Sequence, residues 1–182
     1  MYGIVNKAIQ GLVTENFGQE NWDAILKKSG VDIELFAGNE IYDDKITFDL
    51  AIAASEVLSL PLKDVLIAFG KYWVLTTAKK HYGSLMDTGG NNLKDFFFNL
   101  PNFHSRVMLL YPNIQPPEFD VEEIPGNSNS IKVKYFSVRE GLTDFVYGLM
   151  LGLGEAFETE VEVEFVQGRV DGLPHDEFTV SW

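Results

Sequence analysis

The sequence predicts an α+β fold, with a helical N-terminal lobe over about residues 1–115 and a lobe of β-β-α-β-β order over about 116–182. Apolar residues recur at helical spacing through the first two thirds, and the period changes to alternation after Pro116-Pro117. One further helical stretch interrupts the alternating segments. With 182 residues, 46% of them hydrophobic, the chain can bury its own core, so we expect a single domain spanning 1–182.

The helical part divides at short polar and glycine-containing breaks. "MYGIVNKAIQGLVTENFG" predicts a first helix, and "QENWDAILKKSG", which ends in two lysines and a glycine, predicts a second. Thr47 is expected to cap a helix that runs through Leu58, and Pro61 to open the next. That next helix carries one apolar stripe: Leu62, Val65, Leu66, Phe69 and Trp73. We expect Pro101 in the first turn of a fresh helix, because proline is costly inside one.

Four segments of the second lobe have strand character. "EFDVEEI", "SIKVKYFSV", "EVEVEFVQG" and "DEFTVSW" alternate or are rich in β-branched and aromatic residues. Between the second and third, a helix is predicted from Gly141 to about Phe157. Its apolar face consists of Leu142, Phe145, Val146, Leu149 and Leu153.

Charge and composition exclude several classes of function. The formal net charge of −13 disfavours binding to DNA, RNA or anionic lipid, so we expect neither nucleic acid nor membrane as a partner. The chain has no cysteine, which excludes disulfides, thiolate metal sites and a cysteine nucleophile. The N-terminus lacks a secretory signal, and no apolar run reaches the roughly 18 residues of a membrane helix. We therefore expect a cytoplasmic protein.

The stretch "KYFSVRE" places three hydrogen-bonding side chains at alternate positions. If it is a strand, then Tyr135, Ser137 and Arg139 share one face at steps of about 6.6 Å, opposite to Phe136 and Val138. Hydroxyl groups and a guanidinium fork can hold a pair of carboxylates with defined direction. A solvated sheet face is the plain alternative.

One histidine lies on an apolar helix face. The helical neighbours of His104 are Leu100, Val107 and Met108, whereas His81 and His175 sit among polar and turn residues and are expected to be solvated. A buried imidazole needs a partner for its nitrogens, and a core residue satisfied by hydrogen bonds is one solution. An iron atom is another. A haem combines an iron that takes an axial imidazole with a rim that carries two carboxylates, so it would use both features if they border one pocket.

These residues also carry a resemblance that covers essentially the whole chain. Through "MYGIVNKAI", "AFGKYW", "NFHSRV", "PPEF", "YFSVR" and "GLMLGLG", the sequence resembles the haem-nitric oxide/oxygen-binding family, H-NOX, especially its stand-alone bacterial members. The family includes the haem domain of soluble guanylate cyclase. The resemblance implies a four-stranded antiparallel sheet with a long helix, and a haem b (iron protoporphyrin IX) buried between the two lobes.

The resemblance also implies a role for each matching residue. His104 matches the axial ligand of the iron, and Pro117 matches a residue that presses on the ring and bends it. The residues that match the propionate-binding motif are Tyr135, Ser137 and Arg139. Those that match the lining of the pocket, chiefly on its distal side, are Ile4, Trp73, Phe145 and Leu149.

By the same resemblance, the chain is a gas sensor and not an enzyme. It is expected to bind nitric oxide and carbon monoxide at ferrous haem, and to signal to a separate histidine kinase or cyclic-di-nucleotide enzyme. In the family, nitric oxide weakens the iron–histidine bond and frees the histidine's helix. Phe145 stands where oxygen-binding members place a tyrosine, which favours nitric oxide.

Three alternatives stay open. The first is an oxygen sensor in which Trp73 or Tyr72 donates the hydrogen bond. The second, a haem peroxidase, would need distal acid–base groups, which Ile4, Phe145 and Leu149 do not provide. The third is a haem-free module that keeps only the fold, against which the intact histidine and Tyr-x-Ser-x-Arg motif argue.

Overall fold

The computed structural model describes residues 1–111 and 115–182 and confirms the α+β class. The helices are α1 (Gly3–Phe17), α2 (Gln19–Ser29), α3 (Asp44–Leu58), α4 (Leu62–Tyr72), α5 (Lys79–Asp87), α6 (Leu93–Leu110) and α7 (Thr143–Ala156). The strands are β1 (Glu118–Ile124), β2 (Asn127–Phe136), β3 (Glu162–Gln167) and β4 (Asp176–Ser181). None of the described helices is long and apolar enough to cross a membrane.

The ends of the first helices follow local signals, with one correction. Gly30 ends α2 in the left-handed conformation, with φ of 69°. The predicted cap at Thr47 is wrong, because α3 begins three residues earlier and Asp43 caps it by accepting a 2.8 Å hydrogen bond from the Lys45 backbone N–H. Thr47 is instead buried within α3, and its hydroxyl donates to Asn6 Oδ1 on α1 at 2.6 Å.

A continuous helical rod runs from Leu62 to Asp87. Pro61 directly precedes α4, as its fixed φ predicts, and Val65, Leu66 and Phe69 of the predicted stripe are buried. Leu62 is 39% exposed and so lies outside that buried stripe. Between α4 and α5 the rod is π-helical over Trp73–Ala78.

The prediction for Pro101 is also wrong, because this residue lies in the interior of α6. An interior proline removes one backbone hydrogen bond and costs about 3 kcal/mol. The helix continues because side chains on both sides of Pro101 are buried, including Phe97, Leu100 and Val107. Pro101 itself faces solvent, and its carbonyl accepts a 2.8 Å hydrogen bond from Ser105 Oγ.

In the described part of the chain, the strands form one antiparallel sheet in the order β1-β2-β4-β3. The core-facing side is fully buried at Ile131, Val133, Phe178 and Val180. Lys134 lies on the opposite side, as its alternate position predicts, and pairs with Glu122 and Asp120 of β1.

Helix α7 belongs to the second lobe in sequence but packs along α4 of the first. Glycines allow the two backbones to touch. A Cβ atom on Gly148 would stand 2.2 Å from the Ile67 carbonyl oxygen, and one on Gly70 would stand 2.2 Å from that of Phe145. The α4–α7 crossing therefore fixes where the side chains of α7 point between the lobes.

Candidate functional site

A cavity of about 490 Å³ lies between the helical lobe and the sheet lobe. This size is in the range of roughly 300–1,000 Å³ that is typical of ligand pockets. The cavity brings together every site residue proposed from the sequence: Ile4, Trp73, His104, Pro117, Tyr135, Ser137, Arg139, Phe145 and Leu149.

His104 reaches the cavity from α6 and lies among aromatic rings. Its imidazole stacks on the ring of Phe119 at a centroid distance of 5.7 Å, and the ring of Phe103 is also 5.7 Å away. Burial lowers the pKa of His104 to about 4, because the charged form would lose its hydration. The imidazole is therefore neutral at pH 7, with a nitrogen lone pair available to a metal. Pro117, two residues before Phe119, also borders the cavity.

The Tyr-x-Ser-x-Arg residues border the cavity, but they do not all lie on a strand. Tyr135 is in β2 and only 3% exposed, and its ring packs on Phe119 at 5.5 Å. Strand β2 ends at Phe136, so the expectation that Ser137 and Arg139 share a strand face with Tyr135 is wrong in detail. The two instead form a tight turn, in which the Arg139 backbone N–H donates to Ser137 Oγ at 3.0 Å.

The side chain of Arg139 joins this turn to the helical lobe. Its Nε donates to Asp44 Oδ2 at 2.6 Å, and its Nη1 donates to the Gln115 carbonyl at 3.0 Å. Burial would raise the pKa of Asp44, but hydrogen bonds from the Met1 ammonium and from Arg139 outweigh it and hold that pKa below its usual value. This end of the cavity therefore combines a guanidinium, an ionised carboxylate and the Ser137 hydroxyl.

The wall built by α1, α4 and α7 is apolar. Phe145 and Leu149 lie one turn apart on α7, and the ring of Phe145 packs on Phe69 of α4 at 4.7 Å. Ile4 of α1 completes this wall, and Trp73 joins it from the π-helical segment. Trp73 is a residue of this wall that carries a side-chain N–H group, and an indole nitrogen can only donate.

Tyr72 does not border the cavity, so its assignment as a nearby hydrogen-bond donor is wrong. Its hydroxyl lies against α1, where a Cβ atom on Gly11 would stand 2.5 Å from it. Burial, together with a hydrogen bond to Glu15, raises the pKa of Tyr72 to about 12. The glycine leaves the space into which this tyrosine turns.

Four other tyrosines at the cavity were not predicted from the sequence: Tyr2, Tyr42, Tyr82 and Tyr111. Tyr111 packs edge-on against Tyr2 at 5.2 Å and against Tyr82 at 6.2 Å. Tyr82 in turn lies 6.4 Å from Phe103, the neighbour of His104. Tyr2 directly precedes α1, Tyr82 lies in α5 and Tyr111 directly follows α6. These residues are far apart in the sequence, so their contacts could not be predicted from a local pattern.

The two remaining histidines differ from each other. His81 is exposed, as expected, but His175 is largely enclosed, with its ring 4.7 Å from that of Phe136. The prediction of a solvated His175 is wrong because the pairing of Asp176 with Tyr135 sets the preceding residue beside the end of β2. Among residues 1–111 and 115–182, no group of three or more His, Cys, Asp or Glu side chains is placed to hold a metal ion.

The fold is shared with known proteins. The chain is similar to an H-NOX protein from Shewanella oneidensis in the Fe(II)NO state, with a TM-score of 0.88, 20% identity and coverage of 100% of this chain and 98% of that one. It is also similar to the Fe(II) unliganded H-NOX protein from K. algicida, with a TM-score of 0.84, 23% identity and coverage of 100% and 96%.

Sequence relatives include much longer proteins. Soluble guanylate cyclase gcy-32 of Caenorhabditis elegans is 27% identical over 179 residues, which are 96% of this chain and 26% of the relative. Soluble guanylate cyclase 89Db of Drosophila melanogaster is 22% identical over 157 residues, which are 86% and 23%. The chain thus spans about a quarter of the length of these curated relatives. The family model for Haem-NO-binding domains matches residues 2–165, nearly the whole length, and the chain therefore belongs to the Haem-NO-binding (H-NOX) family of gas-sensor domains, which bind haem.

Proposed function

We propose that this chain is a ferrous-haem sensor of nitric oxide that also binds carbon monoxide, and that it signals to a separate protein without being an enzyme itself. The observation that carries the proposal is the placement of His104 and Arg139 on one cavity with an apolar wall. An imidazole, a carboxylate-binding group and apolar surface are the three things that a haem requires of a protein.

The donor set fits a haem b. His104 would be the protein's ligand to the iron, and Tyr135, Ser137 and Arg139 would hold the two propionates. Ile4, Trp73, Phe145 and Leu149 would line the pocket, chiefly on its distal side, and Pro117 would press on the ring. When bound, a ferrous haem supplies the metal centre at which diatomic gases bind.

The low pKa of His104 suits this role. Only the neutral imidazole can ligate a metal, and burial lowers the pKa of this one to about 4. At any pH above about 5 the residue is therefore ready to bind without releasing a proton.

The apolar α7 wall favours nitric oxide over oxygen. Bound dioxygen is strongly polarised and gains from a hydrogen-bond donor, whereas bound nitric oxide at ferrous iron gains little. Phe145 and Leu149 offer no donor, and Tyr82 packs beside Phe103, the neighbour of His104. The presence of Trp73 at the cavity favours the alternative of an oxygen sensor, because its indole N–H is a hydrogen-bond donor.

Helix α6 is the element through which a signal would leave the site. It carries His104, so a change in ligation there acts directly on the helix. Past His104 the helix exposes Met108, Leu109 and Leu110, an apolar end that a partner could contact. We propose a histidine kinase or a cyclic-di-nucleotide enzyme as that partner.

Visible absorption spectra test the proposal. The purified protein should contain haem; after reduction, its spectrum should shift with nitric oxide and with carbon monoxide and should show no lasting oxygen complex in air.

His104→Gly should fold with little haem and recover it when imidazole is added during growth, whereas the exposed His81→Gly should behave as the parent. Full haem content and an unchanged spectrum in His104→Gly would disprove the ligand assignment. A stable oxygen complex in the parent would replace the nitric oxide sensor by the oxygen sensor, with Trp73 as the donor to test.

A further inference from the structure

The segment after β2 carries two of the proposed propionate-binding residues without support from the sheet. The pairing of β2 with β1 ends at Phe136 and its pairing with β4 ends at Tyr135, so no described strand holds Ser137 or Arg139. Something else must fix their backbone, because a loose segment would lose conformational entropy each time it held a ligand.

A second arginine, Arg169, fixes the backbone of this segment. Arg169 donates from Nη1 to the Arg139 carbonyl at 3.1 Å and from Nη2 to the Ser137 carbonyl. One guanidinium fork thus binds the backbone of both motif residues, and a planar fork can hold two acceptors with fixed geometry. Arg169 is 30 and 32 residues away from Arg139 and Ser137 in the sequence, so this contact could not be predicted from a local pattern.

Arg169 is itself held in place. It begins a short 3₁₀ helix, Arg169–Asp171, between β3 and β4, and its backbone N–H donates to Asp176 Oδ1 at 3.1 Å. Asp176 is only 4% exposed, and its other oxygen accepts a 2.6 Å hydrogen bond from Thr143 Oγ1 at the start of α7. The fork is therefore anchored to the sheet and to the helix that carries Phe145.

We propose that Arg169 is a positioning residue of the haem site: it holds the 137–139 segment so that the Ser137 hydroxyl and the Arg139 guanidinium stay at the cavity. The inference rests on the proposed haem function. Arg169 acts through Ser137 and Arg139, because two of its N–H groups donate to their backbone carbonyls and because it does not itself border the cavity.

A double-mutant cycle measures this coupling through the rate of haem transfer to an acceptor apoprotein. Arg169→Ala should speed the transfer about tenfold in the otherwise unchanged protein, but only about threefold or less in a protein that already carries Arg139→Ala, where the Ser137 hydroxyl alone is left to be positioned. Arg106→Ala is the matched control, because that guanidinium donates to Thr88 Oγ1 at 2.9 Å on the exterior, and it should leave the rate unchanged. If Arg169→Ala fails to fold, Arg169→Lys, which keeps the charge but not the fork, gives the same comparison.

A second readout needs no haem. In the haem-free protein, Arg169→Ala should accelerate hydrogen exchange of the Arg139 amide, which donates to Ser137 Oγ, and leave the amides of the β2 ladder unchanged. Equal acceleration of haem loss with and without Arg139, or exchange that rises uniformly, would show a general folding role and overturn the inference. A parent protein that binds no haem would instead reject the proposed function, so the two failures are distinguishable.

Discussion

Replacing Gly148 by alanine should weaken the contact that holds the lobes together. The new Cβ atom would stand 2.2 Å from the Ile67 carbonyl oxygen, a backbone atom that cannot swing away. Helices α4 and α7 would have to separate by roughly 1 Å, which forfeits a quarter to a half of the dispersion energy of the contacts they share.

The magnitude follows from two opposing effects. Overpacking of this kind costs about 3 kcal/mol at the upper end of its usual range, and the better helix propensity of alanine returns about 1 kcal/mol. We therefore expect a net loss of about 2 kcal/mol in the free energy of unfolding, to be measured by urea titration followed through tryptophan fluorescence.

Gly83→Ala provides the control. Gly83 lies in α5, and a Cβ atom there meets nothing within 4 Å. This substitution should stabilise the protein by up to about 1 kcal/mol, because only the propensity effect remains. The reasoning about the crossing would be refuted if Gly148→Ala matched the parent or shifted stability in the same direction as Gly83→Ala.

The remaining predictions concern the cavity. The free energy of unfolding of the haem-free protein should fall by up to about 3 kcal/mol between pH 6.5 and pH 4. The reason is that His104 takes up a proton near pH 6.5 in the unfolded chain but only near pH 4 in the folded one. A His104→Gln variant whose unfolding free energy has the same pH slope would contradict this. Arg139→Ala should speed haem transfer more than Lys134→Ala, whose ammonium lies on the outer face of the sheet, and equal rates would contradict the assignment of Arg139 to the propionates. Phe145→Tyr should gain a lasting oxygen spectrum with at least about tenfold higher affinity than the parent, since a hydroxyl is added where solvent is scarce; the absence of any gain would place Phe145 away from the bound gas.

The sequence reasoning succeeded where a side chain's direction follows from its own element. Helical spacing was enough to put Phe145 and Leu149 on one face of α7, and the period of a strand was enough to separate Tyr135 from Lys134. Both predictions depend only on the regular repeat of side-chain direction within a single helix or strand.

It failed where distant parts of the chain decide the outcome. The end of β2 is set by where its partners β1 and β4 stop, so the strand could not extend to Arg139 despite the regular alternation. Pro101 stays helical because burial on both sides outweighs a lost hydrogen bond. Asp44, 95 residues from Arg139, gave no local sign of its ion pair.

The π-helical segment Trp73–Ala78 accommodates one residue more than an α-helix would need to present the same face to the cavity. The cavity is bordered along one rod by Phe69, Trp73, Ala78 and Tyr82, at successive steps of four, five and four residues. In an unbroken α-helix a step of five turns a side chain by about 140°, away from the shared face, whereas the wider π turn absorbs the extra residue. A chain with one residue fewer between 73 and 78 could present the same face from a plain α-helix. Loss of a single residue here would therefore alter the winding of the rod and leave the lining of the cavity in place.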